Sequence, residues 1–126
     1  MNNHTIYVVD DNDVVRESLT QYLELKLGVN VEPYSSGIAF LNSDYNTDGT
    51  CLILDFRMPG FSGKEVLEQL VKKGDAIPTI LISGQIEGVP NENERPKFVV
   101  DFLEKPYNTE EIITTIKAIM KNRSSL

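Results

Sequence analysis

Five positions in this chain carry side chains that a purely structural role does not explain. The pair Asp10-Asp11 follows the apolar run "TIYVV", Asp55 ends "CLILD", Ser83 ends "PTILIS", and Lys105-Pro106 comes just after "VVDFL". Burying an unpaired carboxylate is expensive, so an apolar run that ends on one asks for a reactive use. If the runs lie side by side, three carboxylates, a hydroxyl and an ammonium meet at one edge. Two carboxylates about 4 Å apart repel by roughly 4 kcal/mol at an effective dielectric near 20. Three stay ionised together only beside a strong cation, and the single charge of Lys105 is insufficient. A hard divalent ion supplies the rest, and Mg²⁺ is usually held by one or two carboxylates together with phosphate oxygens. Such a site can accept a phosphoryl group: a carboxylate attacks while the metal and Lys105 neutralise the equatorial oxygens.

The elements that must position these groups follow from the hydrophobic pattern. Short apolar runs at 5–9, 29–34, 51–55, 78–83 and 99–103 alternate with segments of helical period at 13–28, 35–43, 63–74 and 109–121. Gly28 is a C-terminal stop for the first helix. Pro33 puts the second strand at an edge or near its end. Ser62 with Glu65, and Asn108 with Glu111, have capping-box spacing. Ile112, Ile116 and Ile119 lie on one stripe of the last helix. Continuous apolar strands alternating with helices predict an α/β fold, a doubly wound five-stranded parallel sheet covered on both faces. Ligands of such sheets bind beyond the carboxyl ends of the strands, where all five positions fall.

The 126 residues, 40% hydrophobic and 25% charged, predict one domain over 1–126 with a real core. A net charge of −7 argues against direct contact with nucleic acid, which needs clustered Lys and Arg. Cys51 is the only cysteine and reads as a small buried hydrophobe, which fits a reducing compartment. The N-terminal stretch has neither the basic start of a leader nor the length of a membrane span, so a cytoplasmic location is expected.

The segments "VVDD", "LILDFRMPGFSG", "ILISG" and "FLEKP", in this order and at these separations, resemble the receiver domain of two-component response regulators. The resemblance covers residues 4–121. It implies a flavodoxin-like strand order, 2-1-3-4-5, and a cis Lys105-Pro106 bond. It implies that Asp55 takes a phosphoryl group from the phosphohistidine of a sensor histidine kinase or phosphotransfer protein. Asp11 and Asp55 would then ligate Mg²⁺ directly, Asp10 through water, and Arg57 through its backbone carbonyl. Lys105 would pair with the acyl phosphate, and Ser83 would move in to hydrogen-bond it. Phe102 matches the family's aromatic switch position and fits an ordinary core aromatic equally well. The implied role is a signalling switch rather than an enzyme acting on a separate substrate. Partner docking or a phosphorylation-dependent homodimer would be its readout. His4 is expected to be an exposed terminal residue outside this chemistry.

One interval departs from the family pattern. Receivers have a full helix between their fourth and fifth strands, but here the sequence reads "GQIEGVPNENERPKF" over 84–98. Interior proline costs about 3 kcal/mol in a helix, so a short-helical, irregular or mobile segment is expected. Two rival readings remain. Asp11-Asn12-Asp13-Val14-Val15 matches the nucleophile motif of haloacid-dehalogenase-type phosphatases, though no acidic metal pair follows Lys105 and Asp55 would go unexplained. A pseudo-receiver, a binding module without phosphorylation, would keep the fold alone.

Overall fold

The computed structural model describes residues 4–49 and 51–124. The ends of the expected single domain, 1–126, lie outside them. The chain runs β1 (Thr5–Val9), α1 (Asp13–Leu27), β2 (Asn30–Tyr34), α2 (Gly37–Leu41), β3 (Cys51–Asp55), α3 (Gly63–Lys73), β4 (Thr79–Ser83), β5 (Val99–Glu104) and α4 (Thr109–Ser124). The five strands are parallel and ordered β2-β1-β3-β4-β5, a flavodoxin-like sheet. Pro33 lies in the edge strand β2, where its missing N–H breaks no central ladder.

Successive side chains of a strand point to opposite faces, so each strand feeds two cores. On one face Ile6, Val8, Ile53 and Ile80 pack with Leu19 and Leu23 of α1 and Ile112 and Ile116 of α4. On the other, Tyr7, Val9, Leu52, Leu54 and Leu81 pack with Phe40 of α2 and with Val66, Leu67 and Leu70 of α3. Cys51 is fully buried in the first core, and burial pushes its thiol up to about 12. No described helix is long and apolar enough to cross a membrane.

The helix ends show how the chain is steered between strands. Gly28 closes α1 in the left-handed region at φ 62°. Ser62 and Glu65 form the reciprocal capping box of α3. Asn12 caps α1, accepting the Val15 N–H at 3.0 Å. Asp13 is the first helical residue. Asn108 accepts from the Glu110 N–H at 2.8 Å rather than forming the expected side-chain box with Glu111.

Between β4 and β5 the described residues hold only a single 3₁₀ turn, Glu92–Glu94. Pro90 and Pro96 bracket that turn, and Gly88 stands at φ 84°, a conformation no helix accommodates. The strands on either side are nevertheless in place, because β5 is held by its own pairing with β4.

Candidate functional site

Register places the acidic residues. β1 pairs with β3 through Val9 and Leu54, so Asp10 and Asp55 leave the sheet side by side. The crevice between them lies where the strand order reverses, the usual ligand position in an open α/β sheet. Asp10, Asp11 and Asp55 each offer a carboxylate oxygen within 4.8 Å of the other two. Asp10 and Asp55 are buried, each 5% exposed, while Asp11 is open to solvent. Ser83 pairs with Glu104 across β4 and β5, which brings Lys105 round to the same edge. The Lys105-Pro106 bond is cis, as expected.

Lys105 Nζ lies 3.4 Å from Asp55 Oδ2 and 3.8 Å from Asp10 Oδ2. The Arg57 N–H donates to Asp55 Oδ1 at 3.2 Å, and the Asn12 N–H donates to Asp10 Oδ1 at 2.9 Å. Burial pushes the Asp55 carboxyl up to about 6; Lys105 opposes that rise, the Asp10 charge adds to it, and the Arg57 N–H lowers it. One lysine thus leaves the Asp55 carboxyl above the ordinary carboxylate range. Three converging oxygen donors and a deficit of positive charge suit a hard divalent cation, and Mg²⁺ fits this donor set.

Close packing fixes the loop behind Asp55. A Cβ on Gly63 would stand 2.6 Å from Phe56 Cα and 2.8 Å from the Asp55 carbonyl oxygen. The first turn of α3 therefore rests directly on the backbone that carries Asp55. The Arg57 side chain is exposed and lies over Gly88, where an added Cβ would meet its guanidinium at 3.2 Å.

The expected switch residues are both near the site and both engaged elsewhere. Ser83 is fully buried; its hydroxyl donates to the Gln85 carbonyl at 2.8 Å and accepts from the Gln85 N–H at 3.2 Å. Phe102 is half-buried against the second core, with the Arg95 guanidinium 5.5 Å above its ring. His4 is partly buried rather than exposed and precedes β1, at the opposite end of the strand from Asp10.

Three nearby residues escaped the sequence reading. Tyr107 has its phenol raised by burial and then by the charges of Asp10 and Asp55, so it borders the site. Arg16 donates to the Asp10 carbonyl at 2.8 Å. Its spacing from Asp13 was a legible signal, since i,i+3 pairs share a helix face. Arg95 stacks through an irregular segment whose path no periodicity discloses.

The sequence matches the response regulator receiver domain family over residues 6–117. The chain is a response-regulator receiver and belongs to that family. It is 40% identical over 117 residues to the response regulator protein TodT of Pseudomonas putida, covering 92% of this chain and 51% of that one. The solved structure of FixJ-N superposes with a TM-score of 0.77 at 36% identity, covering 96% of each chain. The response regulator TrrA of Thermotoga maritima, solved in complex with Mg(2+)-BeF, superposes at 0.77 with 26% identity, covering 92% of this chain and 98% of that one. The chain spans about half the length of the curated relatives it matches. Membership in this family removes the phosphatase reading. Asp13, which that reading needs beside the metal, instead pairs with Arg16 at 2.6 Å and stands outside the carboxylate cluster.

Proposed function

We propose that Asp55 is the phosphoacceptor of this receiver and that its phosphorylation requires Mg²⁺. The observation that carries this reading is the convergence of Asp10, Asp11 and Asp55 within 4.8 Å, next to a single lysine. Asp11, Asp55 and the Arg57 carbonyl would hold the ion, with Asp10 assisting through water. When bound, the ion neutralises phosphoryl oxygens and keeps the carboxylates ionised together. An Asp55 oxygen attacks phosphorus; the O–P bond forms as the P–N bond of a donor phosphohistidine breaks, and the electron pair returns to the imidazole. Lys105 pairs with the phosphoryl oxygens of the resulting acyl phosphate.

The donor is a sensor histidine kinase or a phosphotransfer protein in the cytoplasm. The chain acts as a switch that catalyses its own phosphorylation and dephosphorylation rather than turning over a separate substrate. Residues 1–126 form one receiver domain. Drawing the Ser83 hydroxyl onto the acyl phosphate breaks its bonds to Gln85 and makes room for Phe102 to turn inward. A modification shifts an equilibrium only by its differential interaction with the two states. One charge-assisted hydrogen bond contributes about 1.5–3 kcal/mol, roughly a ten- to hundred-fold shift. The readout is a change in shape and hydrophobic exposure that alters self-association or partner docking near residues 84–107. The resemblance to TrrA, a receiver solved with Mg(2+)-BeF, supports the same ligand chemistry here.

The test is intact mass after incubation with phosphoramidate. One phosphoryl group should be added with Mg²⁺ and none with chelator or in Asp55→Asn. Labelling that ignores the chelator would refute the reading.

A further inference from the structure

The turn that carries Asp10 and Asp11 is held by a residue outside the carboxylate cluster. Arg16, one turn into α1, has a side chain only 15% exposed. One of its guanidinium nitrogens donates to the Asp10 carbonyl at 2.8 Å, and the other reaches Asp13 Oδ1 at 2.6 Å. The Asp10 N–H donates to the Tyr34 carbonyl at 3.2 Å, and the Asp10 carboxylate accepts from the Asn12 N–H at 2.9 Å. Asp10 is therefore fixed at its amide, its side chain and its carbonyl.

The carbonyl matters most for the next residue. The peptide plane that bears the Asp10 oxygen also bears the nitrogen of Asp11, so clamping that oxygen sets the direction in which Asp11 leaves the chain. Asp11 needs this help, because it is exposed and stands in a bend between β1 and α1. Lys105 closes on the other two carboxylates, Asp55 and Asp10.

We infer that Arg16 is a positioning residue for the divalent-cation site, acting through the Asp10–Asp11 peptide to aim the Asp11 carboxylate at the ion. Asp13 orients the guanidinium that does this. A planar fork spans two acceptors at fixed geometry, which a lysine ammonium does not reproduce. The inference rests on the proposed Mg²⁺ site. Outer-shell partners of metal ligands typically contribute about 10- to 100-fold to affinity.

The test is a double-mutant cycle read as Mg²⁺ affinity, by titrating amide NMR shifts of the metal alone with wild type, Arg16→Met, Arg16→Lys, Asp11→Asn and the Arg16→Met/Asp11→Asn pair. Metal-free spectra establish that each variant is folded; should Arg16→Met not fold, Arg16→Lys takes its place in the cycle. Arg16→Met should weaken Mg²⁺ binding about tenfold in the wild-type background and less than about twofold once Asp11 is gone. Arg16→Lys, which keeps the charge, should recover only part of the loss. Equal losses in both backgrounds, or full affinity in Arg16→Lys, would overturn the positioning role. Wild type that does not bind Mg²⁺, or Asp11→Asn that binds as tightly as wild type, would instead overturn the site on which it rests.

Discussion

The Lys105 ammonium lies between two carboxylates, 3.4 Å from Asp55 Oδ2 and 3.8 Å from Asp10 Oδ2. That one cation has two opposed effects. It relieves the repulsion of the acidic pair, yet it repels a divalent ion bound to the same oxygens. Lys105→Met should therefore bind Mg²⁺ about threefold tighter or more at pH 8, where Asp55 is ionised. The same variant should accept phosphoryl from phosphoramidate at least about tenfold more slowly, having lost a charge aimed at the transferring group. Paired metal titration and phosphorylation kinetics check both halves, and losses in both would contradict this division of roles.

The pH dependence follows from Asp55, whose carboxyl burial pushes up to about 6 from the ordinary 3.8. Between those values the folded protein holds a proton that the unfolded chain has released. Stability from this group is thus present at low pH and lost as pH rises through 6. Without metal, Asp55→Asn should be about 3 kcal/mol more stable than wild type at pH 7.5, with the difference vanishing near pH 4. Denaturant unfolding in chelator across that range measures it. Mg²⁺ affinity should fall below pH 6 as Asp55 takes up its proton. A pH-independent difference between the two proteins would show that the Asp55 charge is not the cause.

Residues 85–97 should exchange their amides faster than α3 does. The backbone hydrogen bonds of this segment are local, such as Val89 N–H to Ile86 and Glu94 N–H to Asn91, and most of its residues are exposed. Little burial is available to offset the entropy of ordering them. Hydrogen exchange by NMR or mass spectrometry resolves the two regions, and equal protection would contradict the prediction.

Ser83 and Phe102 should respond together. Ser83→Ala should bind beryllofluoride with Mg²⁺ yet lose most of the accompanying NMR shift change around Phe102. Arg95 holds the Phe102 ring by stacking and is itself anchored by its Nε donating to the Pro90 carbonyl at 2.9 Å. A cation–π contact is worth about 0.5–2 kcal/mol, so Arg95→Ala should enlarge the Phe102 response at a given beryllofluoride concentration. A full wild-type response in Ser83→Ala would break the proposed link.

The sheet and the meeting of the carboxylates were legible for one reason: β1, β3 and β4 are apolar runs that each lead at the carboxyl end into a polar residue of the cluster edge. Asp10, Asp55, Ser83 and Lys105 fall together in the sequence pattern itself, because parallel strands bring their carboxyl ends to one edge. Local chemistry was also readable where it is self-contained, as in the Ser62–Glu65 capping box and the αL stop at Gly28. The details that escaped depend on tertiary position. Asn12 caps α1 from the bend that leaves β1, a position the apolar pattern does not mark. Arg95 meets Phe102 across an interval broken by two prolines and Gly88, and Tyr107 feels the Asp10 and Asp55 charges from beyond the end of β5.

The most direct test of the central claim is the location of the phosphoryl group itself. Borohydride reduces an aspartyl phosphate to homoserine, releasing phosphate, so the labelled position can be read in a peptide digest. After phosphoramidate and Mg²⁺, homoserine should replace aspartate at residue 55 and at no other position. Homoserine at Asp10 or Asp11, or none at residue 55 in protein that carries the added mass, would contradict the account.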